Sequence, residues 1–136
     1  MRGFFDEQNL TRNDQSLKLE LVGSTYDVWE LLQIPPVRSG NLIVHEMKIG
    51  KYAFNSEHET LWHAIIEIRK AGIEIHIHSE NKHFSWCIPF YRLVIFQSIH
   101  YTIHSDGDFI RFKSGIHSKR VFFRRMLDEK IRFLGS

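Results

Sequence analysis

A chain of 136 residues carrying 18 Lys and Arg against 16 Asp and Glu is one nearly charge-balanced domain by length, long enough to bury a core without staples. Its single cysteine, Cys87, excludes an internal disulfide framework and points to a reducing cytoplasm, while the aromatic content, led by Phe, excludes a disordered chain. No apolar run reaches the roughly 18 residues of a membrane span, and Met1–Phe5 passes directly into Asp6 and Glu7 without a signal-peptide core, so the expectation is a soluble, cytoplasmic protein.

Taken in chain order, the first fifteen residues lack periodicity after Phe5, which predicts a frayed end. Leu17, Leu19 and Leu21 alternate with Lys18 and Glu20, the pattern of a short strand with one buried face. Ser24 then offers an N-cap with Asp27 three residues on, and Val28, Leu31 and Leu32 share one helical face. A helix is expected over 24–33, ended by Pro35-Pro36. These elements make residues 1–40 an N-terminal segment, distinct from a domain over 41–136.

Leu42 to Lys48 is a strand candidate closed by Gly50. The stretch from Ser56 to Gly72 fits two periods. Ser56 and Glu59 resemble a capping box ahead of Leu61, Ile65 and Ile68, whereas Trp62, Ala64, Ile66 and Ile68 alternate with polar residues. The β-branched content and the Lys70-Ala71-Gly72 turn favour a strand. Ile73, Ile75 and Ile77 alternate with Glu74, His76 and His78, and after the turn Ser79–Lys82 come Phe84, Trp86 and Ile88, closed by Pro89. An apolar run resumes at Leu93–Phe96. Ile99, Tyr101 and Ile103 form a further strand, joined through Asp106-Gly107 to Phe109–Lys113, because Gly accepts the positive φ of a tight hairpin turn.

The last twenty residues change character. Ser118 is a candidate N-cap, Phe122, Phe123, Met126, Leu127, Ile131 and Leu134 form an apolar helical stripe, and Gly135 ends it. From Arg111 onward eight Lys or Arg stand against only Asp128 and Glu129, so Lys119, Arg120, Arg124 and Arg125 are candidate anion-binding residues. A solvated helix face gives the same count.

The run of short antiparallel strands, the hairpin entry Ala71–Ile75, the stretch Phe84–Leu93 with its Ile88-Pro89-Phe90 core, and one closing amphipathic helix together resemble the pleckstrin-homology-like fold in its small bacterial form. The resemblance covers the chain from about residue 42. It implies an α+β fold: a curled antiparallel sheet or partly open barrel capped by the C-terminal helix, with a short N-terminal helical appendage. It also implies a scaffold that binds proteins or lipid headgroups, and fold does not fix which.

The motifs of common chemistries are missing. There is no glycine-rich phosphate loop, no Gly-x-Ser-x-Gly elbow and no paired-cysteine zinc pattern. Cys87 has no base beside it in sequence and reads as an apolar filler, and Asp106-Gly107-Asp108 reads as a turn and not a calcium loop. His76 and His78 share one strand face, and His100 with His104 another, so His76 and His78 are the metal candidates. The expectation is a non-enzymatic interaction module without a cofactor, binding a protein partner or itself through Trp29 and Leu32, since exposed Trp is enriched at interfaces. A His-dependent metal-binding protein or hydrolase is the alternative. A second is an anionic headgroup or nucleic-acid binder through the basic helix, with weak contact to an anionic membrane surface favoured over nucleic acid.

Overall fold

The computed structural model describes residues 3–55, 60–113 and 119–135. The capping residues expected at Ser56 and Ser118 lie outside the described residues. In order the elements are β1 (Phe4–Asp6), a 3-10 turn (Glu7–Asn9), α1 (Arg12–Val22), α2 (Val28–Leu31), β2 (Leu42–Ile49), β3 (Tyr52–Asn55), β4 (His63–Ile68), β5 (Gly72–His78) and β6 (His83–Pro89). A second 3-10 turn (Phe90–Arg92) leads to β7 (Val94–Gln97), β8 (Tyr101–Ser105), β9 (Asp108–Phe112) and α3 (Arg120–Gly135). No helix among the described residues is long and apolar enough to cross a membrane.

The architecture is α+β. The strands form one antiparallel sheet in the order β1-β6-β5-β4-β2-β9-β8-β7, with β3 on β2. β1 and β7 end that order without pairing with each other, so the sheet is open. β2 joins its two halves: Leu42 and Ile43 pair with β4, Val44 to Lys48 with β9, and Glu46 to Ile49 with β3. A bulge at His45 shifts the register between Val44 and Glu46. Such an extra residue bends the strand and increases its twist, which lets one strand serve both halves.

The concave side holds the main core. Ile66, Ile68, Ile75 and Trp86 from one half meet Met47, Ile103 and Phe112 from the other, and Phe122, Phe123 and Met126 of α3 enter between them. Phe123 stacks on Tyr101 with ring centroids 4.1 Å apart and lies 5.9 Å from Phe112. The stripe expected on this helix is corrected at its far end. Phe133 packs on Phe90 with centroids 5.5 Å apart, while Ile131 and Leu134 stay exposed. Lys130 donates to the Leu93 carbonyl, which fixes that rotation.

The strand expected over Ser56–Gly72 is present as β4. Trp62, Ala64, Ile66 and Ile68 face the core, as the alternation predicts. The Asp106-Gly107 turn has φ of 52° and 84°, both positive, and joins Ser105 directly to its partner Asp108.

The N-terminal expectations need correcting. The expected fraying is not found from Phe4 onward, because β1 pairs with β6 through Phe4↔Trp86, Phe5↔Ser85 and Asp6↔Phe84. The predicted strand at Leu17–Leu21 is the helix α1. The Thr11 hydroxyl accepts from the Asp14 N–H at 3.1 Å and the Asp14 carboxylate accepts from the Thr11 N–H at 3.0 Å, a reciprocal cap that starts the helix. Leu17 and Leu21, four apart, then pack with Phe5, Val22 and Cys87 in a small second core on the convex side of the sheet. Leu19, between them in sequence, faces solvent.

The helix expected over 24–33 is only α2, one turn. Its cap is Asp27, whose carboxylate accepts from the Glu30 N–H at 2.8 Å. Ser24 cannot begin a helix there, because its carbonyl accepts from the Lys70 N–H at 3.1 Å and holds the chain extended beside the β4–β5 turn.

Candidate functional site

Two surfaces concentrate chemistry. The first is the convex face of β4, β5 and β6. Strand register places His63 opposite His78 and His78 opposite His83, a row of imidazoles across three strands. The His63 and His78 rings stack with centroids 5.4 Å apart, and the His83 ring lies 6.2 Å from His78 and 5.9 Å from His76. Asn41 holds His63 through a 3.0 Å contact between its amide nitrogen and Nδ1. The tight Ser79–Lys82 turn, closed by a 3.0 Å bond from the Ser79 N–H to the Lys82 carbonyl, fixes the pairing of His78 with His83.

The sequence pairs His76 with His78, and the structure separates their roles. His76 turns toward carboxylates: its Nε2 lies 3.6 Å from Glu74 and 3.9 Å from Glu67, and its Nδ1 lies 3.9 Å from Glu7. Glu7, Glu74 and His76 put their ligand atoms within 4.8 Å of one another, the spacing of a metal site. That gap is filled by an ammonium. Lys18 of α1 reaches down and donates to Glu7 and Glu74, both at 2.6 Å, with Arg69 a further 3.2 Å from Glu74. All four charged groups are more than nine-tenths shielded from water. Burial presses the Lys18 pKa down, but its two carboxylate partners outweigh that and leave it raised. Burial presses Glu74 up, and Lys18, His76 and Arg69 reverse it to below the ordinary value. This cluster is a buried ion network that pins α1 to the sheet.

His78 lies below its ordinary pKa through burial first and then through His63, His83 and His76. The other expected histidine pair does not form. His100 stacks on His45 at 4.4 Å, whereas His104 lies against Phe109. Burial and then His100 lower the His45 pKa. Cys87 sits in the second core, where burial pushes its thiol far up.

The second surface is α2 and the groove that follows it. Trp29 and Leu32 are 76% and 73% exposed, with Val28 beside them, so the residues expected at an interface do stand in solvent. Their helix is held firmly despite its length. Asp27 and Glu30 cap each other, and Glu30 pairs with Lys70 at 3.1 Å. Ile34 and Pro35 then form one wall of an apolar groove whose other wall is Val121, Arg120 and Arg124 of α3. The four candidate anion-binding residues divide here. Arg125 is committed to the Pro35 carbonyl at 2.7 Å and to Glu129, and Arg124 pairs with Asp128. Lys119 and Arg120 make no ion pair with a described residue.

The members of this histidine row that sequence reading missed are His63 and His83. The turn over Ser79–Lys82 already implies that residues 78 and 83 face each other, and that count was the available signal. No known protein family matches this chain, and no curated protein or solved structure matches it.

Proposed function

We propose that this protein is a non-enzymatic binding module with a pleckstrin-homology-like arrangement, which docks a protein partner on the α2 face. An open antiparallel sheet with its concave side plugged by a C-terminal helix supports the fold reading, and β1 with α1 is an addition to that plan. The observation that carries the function is the exposure of Trp29, Leu32 and Val28 together on a doubly capped turn. Large apolar side chains held outward on a rigid element are what interface anchors look like before their partner arrives. Arg120 on the groove's α3 wall and the adjacent Lys119, neither ion-paired among the described residues, favour a partner segment that is apolar with acidic flanks.

A displayed library of random peptides tests this directly. Selection on the wild-type chain should enrich apolar sequences flanked by Asp or Glu. Binding of the enriched peptides should fall about tenfold or more, the loss of a hot-spot side chain, in both Trp29→Ala and Leu32→Ala. The emission of Trp29 should shift to the blue on binding, because Trp62 and Trp86 are already buried. Peptides whose binding ignores both substitutions would refute the reading. Retention on anionic vesicles or heparin that falls steeply with salt, and is abolished by Lys119→Ala with Arg120→Ala, would instead favour the anion-binding alternative.

A further inference from the structure

We propose that His63, His78 and His83 bind one transition-metal ion of the zinc, nickel or copper class, using three imidazoles from three neighbouring strands. The inference is independent of the α2 face and rests on strand register. Directly opposed residues on adjacent strands bring their side chains close enough to share a ligand. Here two such pairs share His78 as their common member. Metal–nitrogen bonds of about 2.0–2.1 Å require the three rings to swing inward from their present stack. They are free to do so, because His63 and His78 are only half-buried and His83 is exposed.

The Asn41 amide N–H donates to Nδ1 of His63, which places the ring proton on Nε2; ligation through Nε2 requires the Asn41 amide to turn so that its oxygen accepts from Nδ1–H. His78 and His83 line a surface hollow together with two basic residues: Lys82, whose ammonium lies 5.4 Å from the Tyr52 ring centroid, and Arg38, whose charge helps hold the Glu67 pKa down. Glu80, in the turn between His78 and His83, lines that hollow and supplies a carboxylate within the same loop. Imidazole donors select zinc, copper and nickel over calcium and magnesium. The Glu7–Glu74–His76 cluster is excluded as the site because the Lys18 ammonium occupies it.

Isothermal titration of untagged, chelator-treated protein with zinc, nickel and copper salts at about pH 7 tests the site. One ion per chain with a Kd of about 1 μM or tighter is expected. His78→Ala, His63→Ala and His83→Ala should each weaken binding about tenfold or more, while His45→Ala with His100→Ala leaves it unchanged. Cobalt substitution should give a visible absorption band that disappears in His78→Ala. An unchanged urea midpoint in each variant, expected for a wet strand face, ties the loss to the ligand. The proposal is overturned by an absence of saturable binding, by binding that survives His78→Ala, or by binding abolished by Glu7→Gln or by the His45/His100 pair of substitutions.

Discussion

Replacing Lys18 by Met is the sharpest test of how α1 is held. The ammonium lies 2.6 Å from both Glu7 and Glu74, with side-chain exposures of 5%, 8% and 4%. Met retains most of the aliphatic stem, so the substitution removes charge more than packing. Among the described residues it leaves Glu7 with only His76, at 3.9 Å, and leaves Glu74 with Arg69 and His76. Stranding a buried carboxylate in this way costs about 3–5 kcal/mol. Urea unfolding near neutral pH should show that loss as a lower midpoint with an unchanged slope. The Glu74 pKa is depressed from 4.5 in the folded state, so its contribution is present above that value and fades as pH falls through the folded pKa. The Lys18 pKa is raised from 10.5, so its contribution is complete below that value and fades as pH climbs through the folded pKa. The gap between wild type and Lys18→Met should therefore be widest between these limits and narrow on either side. Adding Glu7→Gln to Lys18→Met should restore part of the loss, since Glu74 keeps Arg69. A Lys18→Met protein within about 0.5 kcal/mol of wild type near neutral pH would refute the reasoning.

Phe123→Ala should cost about 3–5 kcal/mol in the same assay, because the ring fills the space between Tyr101 and Phe112. Gly72→Ala should destabilise by at least about 1–3 kcal/mol, the cost of overpacking: a Cβ there would stand 2.4 Å from the Ile88 carbonyl and 2.9 Å from the Pro89 Cα, backbone atoms that cannot swing aside. Cys87 should not react with a thiol-specific chromogenic disulfide in the native protein at pH 8 to about 9, and should react fully in urea, because burial keeps it as the thiol. Rapid native labelling would show that the α1 face opens.

Much of the sheet was legible because its strands alternate strictly and its turns carry diagnostic residues. Ile73–Ile77 and the Asp106-Gly107 hairpin stand where their patterns place them. The misreadings have physical causes. Leu17 and Leu21 are two steps apart on a strand and one turn apart on a helix, so five residues could not separate the periods, and the Thr11–Asp14 cap that decides the matter lies upstream. β3 escaped notice because Tyr52–Asn55 is only four residues, joined to β2 across a turn in which Gly50 has a φ of 56°. His76 and His78 were visible as neighbours on one strand. Lys18, which neutralises the acids around His76, reaches them from another element, and only tertiary packing reveals it.

The bulge at His45 sets the phase of the longest strand. Before it, Leu42 and Val44 point inward on even numbers; after it, Met47 and Ile49 point inward on odd ones. Were all eight residues to alternate strictly with no bulge, Glu46 and Lys48 would turn toward the apolar interior and Met47 and Ile49 would be expelled. Either half of the sheet would then be satisfied only at the other's expense. A one-residue insertion or deletion elsewhere along β2 would reverse the facing of every residue beyond it, whereas loss of His45 itself would keep Met47 and Ile49 inward and remove only the bend.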